Sequence, residues 1–366
     1  MKIVFATGIY PPDIGGPAGY VFEIAKRLEY NGWFYEVVTY SDVTQNESAI
    51  MRVSRSIPPG LRHLVYFFKL LFACQGAEII YAHDVMAAGV PAAIAAIILG
   101  KKFFIRIGGD VLWEKEVKDQ LLSVKEFYQQ GIHKKYFTFK LCRWVMKNAH
   151  KIIVPSTILL DLYKNYYGIG QDKLIFLRNP FPRVLPQEQS FGMRSILFAG
   201  RLQRYKNIET LLKAFSEIVF ASKGIELNII GDGPDRGRLN RIREGLRARE
   251  RIVFETTLPH EELLKRIADC YLAVAPALTE FSPNFALEAL SAGKPILISR
   301  ENGLDIDFPE ELIFSPTDKN ELAIKLQDLF DLSIYRDALR WVERLPKLWS
   351  WDDVTREHIR IFSKNQ

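Results

Sequence analysis

Glu280 and Glu288 stand eight positions apart in "TEFSPNFALEALSAGKP" (279–295), in and beyond the entry to a segment that otherwise reads as a buried helix. An ionised carboxylate only accepts hydrogen bonds, and its two oxygens can take two neighbouring hydroxyls at once, a common way of holding a ribose or a hexose. Ser282 and Pro283 have the residue types of a helix N-cap and first position, and Gly293 with Pro295 ends the helix. With Leu287 and Leu290 taking the buried face, Glu288 lies about two turns in and can point along a binding cleft. Alone, the two would read as exposed helix-end glutamates; their company changes that.

The company begins with "AGRLQRYKNIETLLKAF" (199–215), where Arg201 and Lys206 precede a long helix. A guanidinium, an ammonium and a helix N-terminus all favour the same ligand charge, which suits a diphosphate. Solvation or a surface salt bridge remains the alternative for these two cations. In "GIYPPDIGGPAGY" (8–20), Gly15 and Gly16 let backbone approach a ligand at a helix beginning near Pro17. The loop is not a G-x-G-x-x-G fingerprint, so an anion site and a turn requiring positive φ both stay open. "GDGPDRGRL" (231–239) is a third glycine-rich strand-to-helix turn, and there the structural role is favoured.

These loops need strands behind them. "KIVFAT" (2–7), "YEVVTY" (35–40), "EIIYAH" (78–83), "KFFIRI" (102–107) and "KIIVPS" (151–156) are short β-branched or aromatic runs, each followed by a longer helical segment. The pattern repeats with "SILFAG" (195–200), "IELNIIGDG" (225–233), "RIVFET" (251–256), "CYLAVAP" (270–276) and "PILISR" (295–300). Such alternation predicts parallel sheets covered by helices, an α/β fold of two doubly wound, Rossmann-like domains. "RNPFPRVLPQEQSFG" (178–192) is the expected linker. The domains are expected over 1–185 and 190–348, with ligands bound where strand carboxyl ends face a shared cleft.

At 366 residues, 48% apolar and 25% charged, the chain is too long for one comfortable core. Cys74, Cys142 and Cys270 are far apart and odd in number, which argues against a disulfide framework or a zinc site and fits a reducing compartment. The N-terminal run reads as a strand rather than a targeting segment, and "VMAAGVPAAIAAIILG" (85–100) is too short and proline-interrupted to span a bilayer. The net charge of +6 is uneven, with an excess of about seven positives before residue 190. No zinc-finger spacing, ribonucleoprotein signature or basic heptad region accompanies it, so nucleic acid is not the expected partner. "KEFYQQGIHKKYFTFKLCRWVMKNAHK" (125–151) reads instead as a basic amphipathic helix, either a core helix with a solvated lysine face or a peripheral contact with anionic membrane.

The E-x(7)-E spacing of Glu280 and Glu288 followed by "ALSAGKP", the upstream "GRLQRYKN" and the N-terminal "GG" loop together resemble the retaining glycosyltransferases of the GT-B fold, family four, along essentially the whole chain. The resemblance implies a nucleoside-diphosphate-sugar donor bound mainly by the second domain, a carbohydrate or lipid-linked acceptor bound mainly by the first, and neither a required metal nor a cofactor. It implies that Glu288 binds the donor ribose, Glu280 the transferred sugar, Arg201 and Lys206 the diphosphate, and that Gly15 and Gly16 approach the phosphate. Backbone amides around Phe281, Ser282 and Asn284 would hold the sugar. Where many relatives carry a histidine, "RIGGDVLWE" (106–114) offers Asp110 as a catalytic or acceptor contact beside Arg106, and His83 and Asp84 complete the acceptor set. The closing segment 350–366 resembles the helix that crosses back to the first domain. A cytoplasmic location is expected, with contact at the membrane face as its variant. An epimerase, a phosphorylase or a nucleotide-binding protein without turnover are the other functions open to this fold.

Overall fold

The computed structural model describes residues 1–13, 15–43, 47–117, 121–181, 194–218, 224–346 and 349–364. The chain divides into two units. One comprises Met1–Leu112, Gly131–Pro180 and Trp349–Gln366; the other comprises Trp113–Gln130 and Phe181–Leu348.

In the first unit the strands are β1 (Lys2–Thr7), β2 (Phe34–Tyr40), β3 (Ile50–Val53), β4 (Ile79–His83), β5 (Lys102–Arg106), β6 (Lys151–Val154) and β7 (Leu174–Phe176). They pair in parallel in the order β3-β2-β1-β4-β5-β6-β7. β1 is buried at every position after Lys2, as a central strand covered on both faces must be. The helices following these strands are α1 (Gly16–Tyr30), α2 (Pro59–Ala73), α3 (Gly89–Leu99), then α4 (Val111–Glu116) and α5 (Val124–Gln129), then α6 (Phe137–Asn148) and α7 (Thr157–Asn165). Of these, α5 and most of α4 group with the second unit.

The second unit carries β8 (Arg194–Ala199), β9 (Ile225–Ile230), β10 (Ile252–Glu255), β11 (Leu272–Ala275), β12 (Ile296–Ser299) and β13 (Ile313–Phe314), parallel throughout in the order β10-β9-β8-β11-β12-β13. Its helices are α8 (Ile208–Ile218), α9 (Arg236–Glu244), α10 (His260–Asp269), α11 (Asn284–Ser291), α12 (Lys319–Asp328) and α13 (Leu332–Glu343). The last helix, α14 (Trp351–Lys364), belongs to the first unit and packs on α1. There Tyr20 lies 5.4 Å from Trp351 and Tyr81 Oη bonds His358 Nε2 at 2.9 Å.

Every strand read from the sequence is present, and the α/β architecture is two parallel sheets. Three strands were not anticipated: β3, β7 and β13. All are short and lie at sheet edges, where burial imposes the weakest pattern on sequence. The expected continuous helix over 125–151 is corrected. It is α5, a short 3₁₀ turn at Ile132–Lys135 and α6, broken where Gly131 adopts φ 69°. Most of the expected linker, residues 182–192, lies outside the described residues.

Candidate functional site

In each sheet the strand order reverses beside the first strand of its unit, and ligands of open α/β sheets bind beyond the strand ends at such a reversal. In the second unit the reversal falls between the paired strands β8 and β11. The loop after β8 carries Arg201 and Lys206, and the loop after β11 carries Glu280.

The two loops are stitched together by main chain. Leu278 N–H donates to the Tyr205 carbonyl at 2.8 Å. Asn207, buried and in the left-handed region at φ 55°, donates its amide to the carbonyls of Pro276 at 3.1 Å and Pro316 at 2.7 Å. Asparagine tolerates that backbone conformation and supplies the donors at once. On the far side of the loop, Glu280 N–H donates to the Glu301 carbonyl at 2.8 Å, and Thr279 Oγ1 donates to the Glu301 carboxylate at 2.8 Å while accepting from Val124 N–H at 3.1 Å. Gly303, at φ 63°, passes so close beneath that a Cβ there would lie 2.6 Å from the Glu280 carbonyl oxygen and 2.7 Å from that of Phe281.

This framework brings Lys206 and Glu280 into a direct ion pair, with side chains only 17% and 13% exposed. Burial works against the Lys206 charge, but Glu280, with Tyr205 and Glu114 further out, outweighs it and raises the ammonium pKa. Lys206 also sits 5.2 Å from the Tyr205 ring. Burial pushes the Tyr205 phenol up to about 12, with Lys206 pulling the other way. The fully buried Trp113 packs against Tyr205 at 5.4 Å and Phe281 at 5.8 Å, and donates its indole N–H to the Leu122 carbonyl at 2.8 Å. Trp113, Glu114, Tyr205 and Glu301 were not among the residues singled out in the sequence. "VLWE" followed the quoted Asp110 directly, but nothing in it signalled that the chain changes units there.

Arg201 is exposed and near enough to act on the Tyr205 phenol. The expected Ser282 cap is corrected: α11 starts at Asn284 with Pro283 at the N-cap and no capping side chain. Phe281 is buried, Ser282 half-buried and Asn284 exposed at the helix entry. Leu287 and Leu290 fill the core as expected, and Gly293, at φ 74°, ends the helix. Glu288, 12% exposed, forms no hydrogen bond among the described residues; exposed His260 comes no closer than 3.9 Å. Burial alone raises its carboxyl pKa to about 7. It is the kind of acceptor a diol would satisfy.

The third glycine loop serves the floor of the site. A Cβ at Gly231 would lie 2.0 Å from the Gly200 carbonyl oxygen, and one at Gly233 2.3 Å from that of Leu202. These glycines let the loop after β9 press on the loop that carries Arg201, with Leu202 N–H donating to the Asp232 carbonyl at 2.9 Å.

In the first unit the reversal lies between β1 and β4, where Thr7 is level with His83. Gly15 caps α1 and Gly16 begins it, both exposed. His83 and Arg106 come together with Tyr20, all three more than nine-tenths buried. The Arg106 guanidinium lies 4.0 Å from the Tyr20 ring centre and donates to Asn179 Oδ1. Arg106 Nη1, His83 Nε2 and Tyr20 Oη are buried without hydrogen-bond partners. Burial, then Arg106, drives the His83 pKa well below its usual value, so the imidazole is neutral. Asp84 has a local task. At φ 109° it accepts from the Ala88 N–H at 3.0 Å at the start of α3, and burial raises its pKa to about 6 against those backbone bonds. Asp110 is buried and accepts from Tyr167 Oη at 3.2 Å.

Among the described residues, no group of three or more His, Cys, Asp or Glu is placed to hold a metal ion, and no helix is long and apolar enough to cross a membrane.

The chain is similar along its length to known proteins. Residues 14–182 match the family described as Glycosyltransferase Family 4, and residues 193–331 match Glycosyl transferases group 1. A glycogen synthase of Mycobacterium tuberculosis is 24% identical over 408 residues, covering 99% of this chain and 94% of its own. An uncharacterized glycosyltransferase of Methanocaldococcus jannaschii is 23% identical, covering 96% and 95%. Among solved structures, Anabaena HepE in complex with UDP-glucose superposes with a TM-score of 0.77 at 16% identity, covering all of both chains. Sucrose-phosphate synthase of Thermosynechococcus elongatus does so at 0.75 and 18% identity, covering 99% and 98%. The chain belongs to the group 1, family 4 glycosyltransferases and has their GT-B fold.

Proposed function

We propose that the protein transfers a sugar from a nucleoside-diphosphate-sugar to a carbohydrate or lipid-linked acceptor, with retained anomeric configuration and without a metal or other cofactor. The observation that carries this reading is the Lys206–Glu280 ion pair beside Arg201 at the β8/β11 reversal, with Glu288, which makes no side-chain hydrogen bond among the described residues and only the 3.9 Å approach to His260, on the helix that follows. The relatives' names support the donor class: HepE was solved with UDP-glucose.

Each residue then has a task. Glu288 accepts from the ribose hydroxyls, and Glu280 accepts from the transferred sugar at the entry of α11, where the backbone around Phe281, Ser282 and Asn284 lies alongside. Lys206 and Arg201 face the diphosphate, and Gly15 and Gly16 are assigned to its approach from the first unit. As the bond from anomeric carbon to phosphate oxygen breaks, negative charge grows on the leaving group, and preformed cations lower the barrier where that charge develops. The acceptor oxygen bonds the anomeric carbon on the face the phosphate leaves, and the acceptor proton passes to the departing phosphate oxygen. No protein base is required. Glu280 loses part of its hold on Lys206 to the diphosphate and is freed for the sugar, so the pair serves as the resting arrangement of both.

His83, Arg106, Asp84 and Asp110 are assigned to the acceptor side. The unsatisfied Arg106 Nη1, His83 Nε2 and Tyr20 Oη support this for the first two. The bonds already made by Asp84 and Asp110 suit them to shaping that region.

Incubation with isotope-labelled nucleoside-diphosphate-sugars tests the reading. Transfer or slow hydrolysis with release of nucleoside diphosphate is expected; binding without turnover would leave a nucleotide-binding protein, and an altered sugar still on the nucleotide would mean an epimerase.

A further inference from the structure

A run of packed helices in the first unit presents an apolar face that no described residue covers. On α2, Leu61, Leu64, Phe68 and Phe72 recur at helical spacing and are 55–63% exposed, while Tyr66, Leu70 and Ala73 fill the core. On α3, which packs against α2, Ile94, Ile97 and Ile98 are 38–61% exposed. Seven large apolar side chains on two touching helices exceed the scattered exposure expected of a solvated surface.

The charge beside this face has one sign. Residues 48–77, 85–109 and 131–160 contain no aspartate or glutamate, yet carry four, three and six lysines or arginines. α6 packs on the other side of α3 and adds the exposed Phe137 and Trp144 among Lys140, Arg143 and Lys147. A groove of about 650 Å³ runs along it, lined by Lys134, Lys140, Arg143, Trp144 and Lys147. Among the described residues Lys134, Lys135, Lys140 and Lys147 make no ion pair.

We infer that α2, α3 and α6 form the surface by which the protein docks on an anionic lipid bilayer, with the α2 and α3 side chains entering the acyl boundary and the α6 cations on the headgroup phosphates. The inference takes up the membrane-contact alternative for the basic segment 125–151 and moves its apolar part to two helices not suspected from sequence. Interfacial binding needs both components on one face, buried apolar area and attraction to anionic headgroups. A second copy of the chain fits less well. A two-fold interface sets a patch against itself, and here that brings basic side chains together with no acidic partner.

Co-sedimentation of the full chain tests this, with vesicles of phosphatidylcholine alone and of equal parts phosphatidylcholine and phosphatidylglycerol. The protein is expected to pellet with the anionic vesicles, to remain in solution with the neutral ones and to be released by high salt. Phe68→Ser with Phe72→Ser is expected to lower anionic-vesicle binding about tenfold or more, and Lys140→Gln with Lys147→Gln to remove the preference for anionic lipid while keeping the fold. Equal recovery with both vesicles, or wild-type binding by the serine pair, overturns the inference. So does sedimentation velocity showing a dimer that the serine pair dissociates, which assigns the face to a second copy. No nucleotide is present, so failure here leaves the transferase reading untouched, and failure of turnover leaves this surface untouched.

Discussion

Lys206 reaches the Glu280 carboxylate although 74 positions separate them, because β8 and β11 are neighbours and their loops are bonded through Tyr205 and Asn207. The cation assigned to the leaving group and the acid assigned to the sugar therefore hold each other in the free protein.

Lys206→Ala removes the cation and leaves Glu280 half-buried without its partner. Turnover is expected to fall about 100-fold or more, the scale of losing one preorganised contact to developing charge. Lys206→Arg should recover part of it. Steady-state kinetics on the same labelled donor checks both, and an unchanged turnover number in the alanine variant removes Lys206 from the mechanism.

Arg201→Ala should behave differently because the side chain is exposed. Thermal stability should stay within about 0.5 kcal/mol of wild type. Turnover should fall about tenfold or more with a smaller change in donor affinity, since leaving-group charge peaks late in the reaction. A loss confined to affinity contradicts that assignment.

Glu288 makes stability depend on pH. Its carboxyl is raised from 4.5 to about 7 by burial, so between those values the folded protein holds a proton that the unfolded chain has released. Stability from this group is full below about pH 4.5 and is lost as pH rises through about 7, by roughly 3 kcal/mol. Glu288→Gln should flatten that part of the profile in denaturant titrations. It should also weaken nucleotide binding by about 1.5–3 kcal/mol at pH 8, where the wild-type side chain is ionised. Parallel wild-type and variant stability profiles count against a carboxyl raised by burial.

Gly303→Ala tests the support beneath the loop. The residue is at φ 63° and its added methyl would meet the Glu280 and Phe281 carbonyls. A destabilisation of about 1–3 kcal/mol is expected, with lost turnover as Glu280 shifts. Wild-type melting and activity together would mean that the loop yields freely.

The two sheets were legible because buried parallel strands demand β-branched and aromatic runs, and "KIIV" or "LAVA" can do little else. The edge strands β3, β7 and β13 were not, since two to four residues at a sheet edge carry little pattern. Glu280, Glu288, Arg201 and Lys206 were picked out by residue type at strand ends. A shared site for them was expected as well, but the direct Lys206–Glu280 pair was not, because it depends on strand order and on Asn207, whose two carbonyl partners are distant in sequence. Trp113 and Glu114 escaped for a related reason: the chain enters the second unit at Trp113, inside the six-residue helix α4 and not at the Gly108-Gly109 turn before it.

The central claim is that Lys206, Glu280 and Glu288 frame a nucleoside-diphosphate site, and calorimetric titration of uridine, guanosine and adenosine diphosphates into wild type and Lys206→Ala tests it most directly. One nucleotide should bind the wild type in preference to the others, and substitution of Lys206 should weaken it by about 1.5–3 kcal/mol. Heat from none of the three, or equal affinity in wild type and variant, would contradict the account.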